Sequence, residues 1–156
     1  MKNSFEHNLI KGKIAEMVFD LMMRESGAFT IIPFGYENTI HELLHYKNIK
    51  KQRKAINRVK RTPDFVVISE ETKTVNLVEV KYRNNPDWEE IKKRAKEITD
   101  LWDPSWLFLA TPKEFYFDSV NSIIKKEGEM KPLNIKSIDS KLKEKYLTLL
   151  NDFEHN

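Results

Sequence analysis

The segment Leu77-Val78-Glu79-Val80-Lys81-Tyr82 constrains this chain more than any other. Apolar residues fall on both of its faces, the pattern of a strand buried in a sheet. It nevertheless carries Glu79 and Lys81, and a buried charge is costly unless it is paired or bound. Side chains alternate along a strand, so these two charges share one face. Upstream, Phe65-Val66-Val67-Ile68 is a second β-branched run, and Ser69-Glu70-Glu71-Thr72-Lys73 between the two is a polar turn. The pair reads as an antiparallel hairpin. With the turn centred between Glu71 and Thr72, Asp64 falls directly opposite Glu79.

Two carboxylates facing each other across a sheet repel. A chain keeps such a pair most readily when a cation sits between them. Mg²⁺ suits the pair, being a hard ion held by one or two carboxylates with several waters left over for a phosphate. Taken singly, Asp64 reads as a turn residue after Pro63, and Glu79 with Lys81 as an edge-strand pair. The combination favours a site.

The rest of the chain gives the hairpin its setting. Phe5, Leu9, Ile14, Val18, Leu21 and Met22 recur at helical steps and predict a helix over 4–24 that closes at Gly27. Phe29 to Ile32 predicts a strand. Residues 38–46 predict a short amphipathic helix. Asn85-Pro86-Asp87 predicts a helix start with Asn85 as cap, and Trp88, Ile91, Ala95, Ile98 and Trp102 give its buried stripe. Trp106 to Ala110 predicts a strand parallel to the second arm of the hairpin, because a strand–helix–strand unit of this length favours a crossover. Thr111-Pro112-Lys113-Glu114 predicts a capping box opening a helix that ends at Gly128. Leu133 to Ile138 predicts an edge strand, and Leu142, Tyr146, Leu149, Leu150 and Phe153 a C-terminal amphipathic helix. The class is α/β, with a mixed sheet flanked by helices.

Charge is unevenly spread. The formal net charge is +3, yet residues 47–61 hold eight basic side chains and no acid. They are Lys47, Lys50, Lys51, Arg53, Lys54, Arg58, Lys60 and Arg61, and without them 19 basic residues face 24 acidic ones. One segment supplies the positive sign, which points to a polyanionic partner. A solvated helix face is the usual meaning of a charge run, but the absence of any acid in the block weighs against it. The chain has 156 residues and no cysteine. Its length suits one domain over 1–156 with a basic insertion at about 37–61. The missing thiols exclude disulfide scaffolds, thiolate zinc sites and cysteine nucleophiles. No apolar run is long enough for a bilayer and the N-terminus lacks a signal-peptide core, so a cytoplasmic location is expected.

Pro63-Asp64, a spacer of 14 residues, then Glu79-Val80-Lys81 resembles the signature of the PD-(D/E)XK nuclease superfamily. Its restriction-endonuclease-like core, α-β-β-β-α-β, resembles the order of elements from about Phe5 to Ala110. Gly12-Lys13-Ile14-Ala15-Glu16 looks like the first-helix glutamate element, and together with Val78 to Arg83 it most resembles the Holliday-junction-resolvase-like branch. The basic insertion is a departure from the compact family pattern. The resemblance implies a Mg²⁺-dependent endonuclease acting on DNA, branched or structured DNA included, with Mn²⁺ as a substitute. It implies Asp64, Glu79 and the main-chain carbonyl of Val80 as metal ligands. Glu16 would act through a metal-bound water or hold a second ion, and Lys81 would position the attacking water. The basic block, with Arg83, would hold the phosphate backbone. DNA is favoured over RNA, and the stripe ending at Phe153 suits either core or a homodimer face.

Two other readings stand beside this one. A nucleic-acid-binding module on the same fold needs no catalysis. Residues 41–45, His-Glu-Leu-Leu-His, match the zinc-peptidase pattern, with His41 and His45 as ligands and Glu42 as base. That motif is short, lacks a third ligand, and leaves Asp64, Glu79 and Lys81 unexplained. Lys92, Lys93, Arg94 and Lys96 read as solvated residues.

Overall fold

In a computed structural model of the chain, residues 3–35 and 53–155 are described. Their elements, in order, are α1 (Asn3–Glu25), β1 (Phe29–Pro33), α2 (Arg53–Lys60), β2 (Phe65–Ser69), β3 (Val75–Tyr82), α3 (Trp88–Thr99), β4 (Ser105–Ala110), β5 (Phe115–Ser119), α4 (Val120–Lys125) and α5 (Ser140–His155). The expected helix over 38–46 and the first part of the basic block lie outside the described residues.

The strands form one mixed sheet in the order β1-β2-β3-β4-β5. The hairpin has the register its turn predicts, with Phe65 paired to Val78 and Ile68 to Val75. One step further, Asp64 stands across from Glu79. β3 and β4 are parallel, joined by the α3 crossover, while the other neighbours are antiparallel. From α1 to β4 the elements keep the helix–strand–strand–strand–helix–strand order, with α2 added inside the insertion.

Two cores sandwich the sheet. On one face Val78, Val80 and Tyr82 pack with Ala15, Val18, Phe19 and Met22 of α1 and with Tyr146 and Leu150 of α5. Phe19 is the hub, with ring centroids 5.4 Å from Phe65 and 4.9 Å from Phe108. On the other face Ile91, Ala95 and Ile98 of α3 pack against Leu107 and Leu109. Glu79 and Lys81 are in register with those two leucines, so strand alternation turns the charges toward α3 and the valines toward α1.

Four expectations need correction. Thr111 to Glu114 is a hairpin turn and not a helix start: Thr111 Oγ1 accepts from the Lys113 and Glu114 amides, and the Thr111 amide donates to the Glu114 carbonyl. Phe115 to Ser119 then pairs with β4. The alternating Phe115-Tyr116-Phe117 sends its rings to opposite cores, which outweighs the local capping signal. Only Val120 to Lys125 is helical, capped by Ser119. Leu133 to Ile138 is not a strand. A bridge joins Tyr116 to Pro132 and the Leu133 amide donates to Phe115, but Pro132 itself has no N–H to extend a ladder. The cap of α3 is Asp87, whose carboxylate accepts from the Glu89 and Glu90 amides, and not Asn85. Finally, Phe5, Leu9 and Leu21 of α1 are exposed, because packing on β3 and α5 selects the Ala15, Val18, Phe19, Met22 face.

The hub makes a stability prediction. Phe19→Ala should cost about 3–5 kcal/mol, read by urea denaturation, whereas truncating exposed Phe5 should cost little.

Candidate functional site

The site is assembled where β2 begins and β3 continues past it. Asp64 lies just before β2, between buried Pro63 and buried Phe65. Its main-chain carbonyl accepts from the Phe34 amide at 2.8 Å and from the Gly35 amide at 3.1 Å, tying the end of β1 beside it. Its Oδ2 accepts from the Val80 amide at 2.8 Å. That bond closes the hairpin beyond its last ladder pair. Burial, and then the charge of Glu79, push the Asp64 carboxyl up to about 7, with Glu16 adding to the rise, while the Val80 amide and Lys81 oppose it. This is a carboxylate crowded by other carboxylates and only partly compensated.

Glu79 is 3% exposed. Its Oε1 takes two cations, Lys81 Nζ at 2.9 Å and Arg94 Nη2 at 2.6 Å. Arg94 also donates to Glu97, and its Nε is buried without a partner. Burial works against its charge, but the neighbouring Glu79 and the hydrogen bonds to Glu79 and Glu97 hold the guanidinium pKa above its ordinary value.

The half-buried place of Arg94 beside Glu79 corrects the expectation of a solvated residue. The signal was present in the sequence: Arg94 lies three residues after Ile91 and four before Ile98, both on the buried stripe of α3. A charge on that stripe is delivered to the sheet, where Glu79 faces it.

A cleft of about 480 Å³ opens beside this cluster, with Gly12, Lys13 and Glu16 of α1 on one side and Val80, Lys81 and Arg83 of β3 and its continuation on the other. Glu16 is therefore on the same cleft as Lys81 and near enough to act on Asp64. Its carboxylate pairs with Lys13 at 3.1 Å. Among the described residues no group of three or more His, Asp or Glu is arranged to hold a metal. Arg83 forms a forked ion pair with Glu90. That neutralises the cation expected to hold a phosphate backbone.

Within the basic block, Lys54 and Arg58 are exposed on α2, and Arg61 is exposed just after it. Lys47, Lys50 and Lys51 lie outside the described residues, as do His41 and His45. The side chains of Arg53 and Lys60 are likewise not described. No described helix is long and apolar enough to cross a membrane.

A scan against protein-family models finds no match, and a search of curated proteins finds none. Among solved structures the chain is similar to Hjc, a Holliday junction resolvase of Archaeoglobus fulgidus. The likeness has 13% sequence identity and a TM-score of 0.40, over 84% of this chain and 97% of that one. At that level the chain's own topology and side chains carry the functional reading.

The crowding of Asp64 makes a pH prediction. Its native pKa of about 7 is above the ordinary value of about 3.9. Between those limits the folded chain binds a proton that the unfolded chain releases, so stability falls as pH rises toward 7. In chelator, the melting temperature of Asp64→Asn should rise relative to wild type between about pH 4 and pH 7, and the variant should melt several degrees above wild type at pH 8. A variant that is less stable than wild type at pH 8 would contradict this.

Proposed function

We propose that the chain is a metal-dependent nuclease of the PD-(D/E)XK kind that hydrolyses phosphodiester bonds in DNA, branched DNA included. The observation that carries the reading is Asp64 opposite Glu79 across the hairpin, with Lys81 on the face of Glu79 and a cleft at its side. The donor set fits Mg²⁺. Two opposed carboxylates, one of which ionises reluctantly because it is buried and then because of the other, are relieved by a divalent cation. An ion that keeps several waters needs only one or two protein carboxylates, so a closed cage of three is not required.

Asp64 and Glu79, with the main-chain carbonyl of Val80, would hold the ion. When bound, Mg²⁺ lowers the pKa of water and stabilises charge on a phosphate. Lys81 lines the cleft and would orient the attacking water through its ammonium group. Glu16, across the cleft, would hold a further water or a second ion. The water would form a P–O bond and release a proton to solvent as the P–O bond to the leaving group breaks, and the leaving alkoxide would take up a proton from solvent. Lys54, Arg58 and Arg61, with the rest of the basic block, would bind the phosphate backbone without regard to sequence.

One observation favours binding without catalysis. Glu79 already has two cationic partners in Lys81 and Arg94. Incubation of branched, duplex and single-stranded DNA, and of RNA, with and without Mg²⁺ or Mn²⁺ separates the two readings. Asp64→Asn should abolish cleavage, and Lys81→Ala should slow it by ~100-fold or more, both with binding largely intact. If both variants cut as well as wild type, the assigned site is wrong. Separately, Lys54→Glu with Arg58→Glu should weaken DNA binding across sequences. The same pair should flatten its salt dependence by about one unit of log–log slope for each phosphate no longer neutralised.

A further inference from the structure

The guanidinium of Arg94 is a built feature that the proposed chemistry does not use. It comes from α3, a helix fixed by Ile91, Ala95 and Ile98 in the second core and by the Asp87 cap. Its side chain is 24% exposed and reaches across to a carboxylate that is 4% exposed. It binds one oxygen of that carboxylate, Oε1, at 2.6 Å, and its other terminal nitrogen binds Glu97 at 3.2 Å. Two acids on two elements therefore hold one planar fork. The shared oxygen also takes Lys81.

The two cations on Oε1 are not equivalent. Lys81 extends from a strand into the cleft on a flexible stem. Arg94 is held by a packed helix and a second acid, and a guanidinium gives a fixed fork where an ammonium gives a point charge. Were Lys81 the sole partner, its departure toward a substrate would leave a buried carboxylate bare. A buried ion pair broken on one side is strongly unfavourable. With Arg94 in place Glu79 keeps a partner.

We propose that Arg94 is a positioning residue for Glu79. It holds the Glu79 carboxylate through Oε1, so that the carboxylate would be oriented for a divalent cation held with Asp64, and it leaves Lys81 able to turn to the substrate. The inference rests on the metal-dependent reading. The residues that orient metal ligands generally affect affinity by ~10–100-fold.

The test is Mn²⁺ binding to the full chain without DNA, measured by isothermal titration calorimetry at one pH. Arg94→Met should bind Mn²⁺ about ten-fold more weakly than wild type or worse. Arg94→Lys, which keeps the charge and loses the fork, should lie between the two. Glu97→Gln, which frees the other end of the fork, should give a smaller loss. Circular dichroism checks folding, and if Arg94→Met does not fold, Arg94→Lys and Glu97→Gln decide the matter on the same scale. Equal or tighter Mn²⁺ binding by the Arg94 variants overturns the proposal, because a guanidinium that merely opposed the incoming cation would improve binding when removed. Wild type that binds no Mn²⁺ sinks the metal reading itself, and this inference with it. Wild type that binds Mn²⁺ and loses it in Asp64→Asn but not in Arg94→Met sinks this inference alone.

Discussion

Asp64 and Glu79 are set opposite each other by forces that have nothing to do with their charge. The polar turn from Glu70 to Thr74 fixes the register of β2 on β3, and the first core enforces it. Val78, Val80 and Tyr82 must face Phe19 and Met22 of α1. A slip of one residue would drive Glu79 into that aromatic core and turn three apolar side chains to the α3 side. The apolar packing thus aims the acids, and the acids accept the electrostatic consequence.

That consequence is uneven. Glu79 is served twice, by Lys81 and Arg94, whereas Asp64 receives only the Val80 amide on its carboxylate among the described residues. Asp118 makes a useful contrast. It too is buried in a strand, yet it accepts from the Ser119 and Lys131 amides and pairs with Lys126 at 2.9 Å. Asp118 is a satisfied structural acid. Asp64, bonded to Val80 of the cleft wall, is left short of positive charge, which is the condition in which a carboxylate gains from an added cation.

Much of this was legible in the residues. The turn composition set the hairpin register, and the strand–helix–strand spacing set the parallel β3–β4 pair. What the residues concealed had physical causes. Thr111 and Glu114 satisfy a local capping pattern, but a tight turn uses the same hydroxyl, and Phe115 and Phe117 gain more by joining the sheet. Phe5 and Leu9 fit a helical stripe, though the side of α1 that touches β3 and α5 is set by tertiary packing. Arg94 was hidden among Lys92, Lys93 and Lys96, where a charge run looks uniformly solvated. Only its position between Ile91 and Ile98 marks it out.

On the proposed function, the Asp64–Glu79 pair would bind a divalent cation. Crystals grown with Mn²⁺ and measured for anomalous scattering test it directly. A peak is expected between the two carboxylates, within coordinating distance of both and of the Val80 carbonyl, with none there in Asp64→Asn crystals. An anomalous peak at His41 and His45 instead, or Glu79 still closed on Lys81 and Arg94 with no ion beside it at saturating Mn²⁺, would contradict it.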